Sequence, residues 1–174
     1  MSLTANHFQL FDLPVSFDIN TETLAQQYRE LQRTVHPDKY VNAPDRERRL
    51  SMQKATQINE AFQTLKNPLA RGLYLLQLHG IDANDANNVS MDNEFLMAQI
   101  ELREELADIK QKSQPLETLN TFLSHIETQQ HDSIKKLSQQ FSGQNYQAAS
   151  DSVRKFQFFT KLHEEALRLE EELV

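Results

Sequence analysis

DINTETLAQQYRELQRTVHPDKYVNAPD, residues 18–45, holds a helix, its end and the approach to a second helix in one stretch. Leu24, Tyr28, Leu31 and Val35 recur at i, i+4, i+7 and i+11, a single stripe at roughly 100° per residue. The spacing predicts a helix over 21–36 with Asn20 or Thr21 as its N-cap. His36 precedes Pro37, whose ring pushes it out of the α region, so the helix ends there. His36, Pro37, Asp38 and Lys39 then follow in a row, with nothing apolar before Tyr40.

Working outward, a second helical pattern starts near Asp45 and ends near Asn67-Pro68, with Met52, Ala55, Ile58, Phe62 and Leu65 as its expected buried face. HFQLFDLP (7–14) reads as a short helix stopped by Pro14, and LARGLYLLQLHG as an apolar element stopped at Gly80, a natural C-cap residue. IDANDANNVS (81–90) is polar and without period, and is expected to be a linker. Three amphipathic runs follow. Phe95, Leu102, Leu106 and Ile109 mark the first (91–112). Leu119, Leu123, Ile126, Ile134, Leu137 and Phe141 mark the second (116–142). Ala149, Val153, Phe156 and Leu167 mark the third (145–173). The expected class is all-α: a helical hairpin with flanking helices over 1–80, the linker over 81–90, and a three-helix bundle over 91–174.

Composition narrows the function. Three Gly and five Pro are too few for a turn-rich β fold, and without Cys there is neither a disulfide framework nor a thiolate metal site. His7, His36, His79, His125, His131 and His163 form no i,i+4 pair of the kind that places two metal ligands on one helix face. No secretory signal and no run of about 18 apolar residues is visible. With its start Met in place, the chain is expected to be bacterial and cytoplasmic. Net charge is −7, and residues 1–75 are nearly balanced, so the acidity lies in the second half. A general nucleic-acid binder needs the opposite sign.

The polar loop at 36–39 has a bland explanation, a turn that Pro37 and Asp38 initiate. It also has a functional one. Arg29 and Arg33 lie on the helix side opposite the apolar stripe, so cations and the Asp38 carboxylate share one exposed end of a hairpin. No nucleophile, phosphate cradle or oxyanion donor stands nearby, so catalysis fits poorly. Docking fits better: Asp38 offers an acceptor to a partner Arg, and Pro37 lowers the cost of ordering.

HPDKY between two such helices, with INEAFQTL on the second, resembles the J domain of DnaJ-type co-chaperones. That family docks on DnaK-type chaperones through the helix before the His-Pro-Asp loop and through the loop itself, and accelerates their ATP hydrolysis. The resemblance therefore implies chaperone docking by His36, Pro37, Asp38, Lys39, Arg29 and Arg33. HFQLFDLP, LQRTVHPDKY, RGLYLLQLHG and NEFLMAQIELREEL together resemble more narrowly the HscB co-chaperones of iron–sulfur cluster assembly, whose chaperone is HscA. Asp12 and Gly72 depart from that family, which commonly has Gly and Ala there. The Gly/Phe-rich and Cys-rich zinc regions of general-purpose DnaJ proteins are missing, as is the Cys-rich extension of some eukaryotic relatives.

NEFLMAQIELREEL carries more apolar residues than one stripe needs. Leu96 and Ile100 fall roughly 100–140° from Phe95, and Met97 near the opposite side. Either a broad face is buried against two helices, or an apolar patch rimmed by Glu101, Glu104 and Asp108 is exposed for a partner. In KFQFFTKL, Phe158 similarly points away from Phe156. The resemblance favours the partner surface, because HscB relatives bind the scaffold protein IscU through positions matching Leu96, Met97, Ile100, Glu101, Glu104 and Phe158. The expected function is an adaptor with no enzymatic activity and no cofactor of its own, stimulating an HscA-type ATPase and delivering IscU. A J protein with a different client, or a helical interaction protein whose tripeptide is only a turn, are the alternatives.

Overall fold

The computed structural model describes residues 4–88 and 92–174; the last two residues of the expected linker, 89 and 90, and Met91 lie outside the described residues, as do residues 1–3. The described residues form seven α-helices and three short 3-10 turns, without a strand, and the chain divides into two compact units, Met1–Leu78 and His79–Val174.

In the first unit, α1 (His7–Leu10) is a single turn closed by a capping box. The Asn6 side chain accepts from the Gln9 N–H at 2.8 Å while the Gln9 side chain accepts from the Asn6 N–H at 2.9 Å. The turn after it needs a left-handed residue, and Asp12 supplies φ +53°. This is where the family commonly has Gly. Asp is among the few side chains that tolerate the αL region, so the departure costs little. Helix α2 (Thr21–Thr34) starts at Asn20, whose side chain accepts from the N–H groups of Glu22 and Thr23. Helices α3 (Asp45–Lys66) and α4 (Pro68–Leu78) complete the unit.

α2 and α3 form the antiparallel hairpin. Tyr28 stacks on Phe62 with centroids 3.9 Å apart, and its hydroxyl donates to Asn59 Oδ1 at 2.7 Å. Phe8, Phe11, Leu24, Ile58, Ala61, Leu65 and Leu76 of this unit are fully buried, and Phe17, Leu75 and Val35 nearly so. The α3 face differs from the expected one. Ser51, Ile58 and Leu65, seven apart, line its core stripe, whereas Met52 is 68% exposed because it lies one residue, about 100°, off that stripe. Arg71 is buried as well. Its Nη1 donates to the Leu65 carbonyl at 2.6 Å and its guanidinium lies over the Phe17 ring, closing the C-terminal end of α3.

In the second unit, α5 (Asn93–Asp108), α6 (Pro115–Ser142) and α7 (Tyr146–Leu173) form the bundle. Gln144, at φ +57°, makes the tight turn that lays α7 antiparallel to α6. Ile109, Leu119, Phe122, Leu123, Ile126, Phe159, Leu162, Ala166 and Leu169 make one core, against which Phe95, Leu102 and Leu106 of α5 are packed half-buried. The expected stripe of α7 is right at Ala149, Val153 and Phe156. Leu167 is instead 40% exposed, and its neighbours Ala166 and Leu169 are buried in its place. The segment before α5 belongs to this unit: His79 stacks on Tyr146, Ala83 is buried, and Arg154 Nη1 donates to the Ala83 carbonyl at 3.1 Å.

Candidate docking sites

The α2–α3 connection is ordered by hydrogen bonds within it and by one from α3. α2 ends at Thr34, and Val35 is its C-cap. His36 is extended (φ −58°, ψ 133°), as a residue before proline must be, and Pro37–Tyr40 forms a 3-10 turn. The Lys39 N–H donates to the His36 carbonyl at 3.0 Å, and the Tyr40 hydroxyl to the Thr34 carbonyl at 3.2 Å. From α3, the Ser51 hydroxyl donates to the Val35 carbonyl at 3.0 Å. A further bond runs from the Asp38 N–H to His36 Nδ1 at 3.2 Å, so Nδ1 acts as an acceptor and the ring hydrogen belongs on Nε2. The Asp38 carboxylate, 3.6 Å from Nδ1, stands beyond hydrogen-bond range of it.

The backbone of the tip is therefore pinned while its side chains face water. The Asp38 side chain is 88% exposed and that of His36 57% exposed. Arg29, Arg33 and Lys39 are exposed and have no ion partner among the described residues. Beside them an open groove of about 590 Å³ runs between α2 and α3; Arg29, Gln32, Arg33, His36, Ala55 and Asn59 line it together with Val35 and Pro37. Gln32 and Asn59 are the residues that sequence reasoning missed. They bracket the Tyr28 hydroxyl, which accepts from Gln32 Nε2 and donates to Asn59 Oδ1, both at 2.7 Å.

On α5, Leu96, Met97 and Ile100 are 46, 57 and 52% exposed, which decides against their burial in the bundle. Glu101, Glu104 and Asp108 are exposed on the same helix. Phe158, whose exposure its position opposite Phe156 left open, is half-buried in the α5–α7 seam, edge-on to Phe95 at 5.6 Å and to Phe159 at 5.5 Å, with the Arg103 guanidinium over its ring. Three ion pairs cross the seam: Asp92–Lys155 at 3.3 Å, Arg103–Glu165 at 3.1 Å and Lys110–Glu172 at 2.6 Å. Their near-constant offset in sequence means that α5 and α7 run parallel. Asp92 also caps α5, accepting from the Phe95 N–H at 3.1 Å. That bond, and then the one from Lys155, holds its carboxyl below the usual range.

A pinned polar loop between two antiparallel helices, followed by a helical unit, matches known proteins over nearly the whole chain. Residues 7–74 match the DnaJ domain model and residues 91–167 the model of the HSCB C-terminal oligomerisation domain. Together they define a J-domain protein with a second helical domain. The co-chaperone protein HscB homolog of Photobacterium profundum is 44% identical over 166 residues, 95% of this chain and 97% of its own. The solved structure of chaperone HscB from Vibrio cholerae superposes with a TM-score of 0.89 at 39% identity, covering 98% of this chain and all of that one. That of human co-chaperone protein HscB gives 0.88 at 30% identity, covering 100% of this chain and 86% of its own. The chain belongs to the HscB co-chaperone family.

Proposed function

We propose that the chain brings an iron–sulfur scaffold protein of the IscU type to a DnaK-type chaperone of the HscA type and stimulates that chaperone's ATPase, so serving cluster assembly and transfer. It acts by binding, and the hydrolysis it accelerates is its partner's. The tip at His36–Lys39, with Arg29 and Arg33, is the chaperone-docking site; Leu96, Met97, Ile100, Glu101, Glu104, Asp108 and Phe158 form the scaffold-binding site. With bacterial relatives at this identity, the cytoplasm is the compartment in which both partners are to be sought.

The observation that carries this reading is that two separately compact units expose surfaces of opposite chemistry. One is a polar tip whose backbone is already ordered; the other is an apolar helix face with an acidic rim. An ordered tip offers Asp38 to a partner Arg at small entropic cost, and a charge-assisted bond of this kind is about twice as strong as a neutral one. An exposed apolar patch with a charged rim has the composition of a partner surface. The test is steady-state ATP hydrolysis by purified HscA-type chaperone, with the chain alone and with the chain plus scaffold. Stimulation by the chain, raised further by scaffold, is expected. No stimulation at all overturns chaperone docking, and stimulation indifferent to scaffold points to a different client.

A further inference from the structure

The exposed face of α5 and the ring of Phe158 meet at one side chain. Taking Phe95 as zero on a wheel of roughly 100° per residue, Arg103 falls at about 80°, between the α7 seam and the exposed Leu96 and Ile100 at about 100° and 140°. The acidic rim of Glu104, Asp108 and Glu101 lies beyond, at about 180–240°. Arg103 Nη1 donates to Glu165 Oε2 at 3.1 Å, and its Cζ stands 5.4 Å from the centroid of the Phe158 ring. Phe95 and Phe159 meet the same ring edge-on. Phe158 is thus clamped by one cation and two rings, and the cation is the member that borders the exposed patch.

We propose that Arg103 is a positioning residue for client binding, an inference that rests on the scaffold-binding role given to this face above. A planar guanidinium over the ring fixes Phe158 in the orientation that continues the Leu96–Ile100 surface across the seam. The rotamer is then ordered before the client arrives, which removes that ordering cost from binding. Glu165 has the complementary duty. A bare cation beside the patch repels a basic segment, whereas the paired one leaves Glu101, Glu104 and Asp108 as the field the client meets. The client segment that fits is therefore apolar with basic flanks.

A double-mutant cycle tests the inference, using full-length chain and purified IscU-type scaffold in titration calorimetry. Arg103→Met weakens binding about two- to fivefold, the range a partly exposed cation–π contact supports. Phe158→Leu keeps the apolar volume and removes the ring; in its background Arg103→Met has no further effect. Losses that multiply mean that Arg103 touches the client directly and overturn the positioning role, as does unaltered affinity of Arg103→Met. Glu165→Gln leaves a free cation at the patch and weakens binding most at low salt; equal or tighter binding there overturns the charge-cancelling role. Failure of the unaltered chain to bind scaffold removes the client reading itself, an outcome separate from all of these.

Discussion

The two proposed docking surfaces are built in opposite ways. At the tip of the α2–α3 hairpin the backbone does the positioning: hydrogen bonds to its amides and carbonyls fix residues 34–40, and the side chains offered to a partner take almost no part in the fold. Only His36 serves both, through Nδ1. On α5 the helix backbone is fixed by its own ladder, and its placement against α7 depends on half-buried Phe95, Leu102 and Leu106 and on three ion pairs across the seam. There the side chains proposed to bind a partner and those that seat the helix are neighbours on one cylinder. A contiguous loop motif can change its chemistry without moving, whereas a helix face cannot shed an apolar residue without risking its seat.

The sharpest way to break that comparison is to exchange the defects. Asp38→Ala removes an 88% exposed carboxylate and no packing. It is expected to abolish ATPase stimulation while leaving scaffold affinity and thermal midpoint unchanged. Leu96→Ala with Ile100→Ala has the reverse outcome, a loss of scaffold affinity of about 10–100-fold, typical of central apolar anchors, with basal stimulation retained. Crossed effects, such as weakened scaffold binding by Asp38→Ala, mean that the two surfaces are not independent.

The same contrast explains what could be read in the sequence. The tip was legible because a proline, the residue before it and two helical stripes constrain the chain locally, within about a dozen residues. The order of the helices was legible for the same reason. Met52 and Leu167 were misassigned because each lies one residue from a true core position, and apolar character alone does not distinguish neighbours about 100° apart. The exposure of Leu96 and Ile100 stayed open, since whether a second helix covers a face is a tertiary fact. Arg71 and Ser51 were missed because burial of a polar side chain depends on how elements pack: Arg71 turns back from α4 to the Leu65 carbonyl at the end of α3, and Ser51 reaches from α3 to the Val35 carbonyl sixteen residues earlier. Ser51 did leave a signal: it sits seven residues before Ile58 and fourteen before Leu65.

Ser51 sharpens the comparison at the next level of effect. Its hydroxyl is the bond from α3 to the C-cap of α2, immediately before the tip. Ser51→Ala leaves the Val35 carbonyl without that donor in a buried place, at a cost of about 1–3 kcal/mol. Chemical denaturation of the full chain should register that loss, and stimulation should fall severalfold while scaffold affinity stays put. An unchanged midpoint would mean that water replaces the hydroxyl and that the tip does not depend on α3.

The smallest expected effect concerns how the first unit answers to pH. His7 stacks on Tyr74 with centroids 4.2 Å apart and interplanar angle 15°, and its backbone N–H donates to the Tyr74 hydroxyl at 3.0 Å. Burial lowers its pKa below the ordinary 6.5, against a smaller opposing pull from Glu60. The folded state therefore favours the neutral ring. Its contribution to stability is fully present above the unfolded value near 6.5. It is lost as pH falls from there through the lower folded value, below which both states are protonated and the loss stops growing. His7→Phe keeps an aromatic partner for Tyr74 and does not titrate. The midpoint of the unaltered chain should thus run parallel to that of His7→Phe above pH 7 and drop relative to it toward pH 5. Parallel curves throughout would mean that the ring escapes into water on protonation, so that the α1–α4 contact is not a fixed part of the fold that holds the tip.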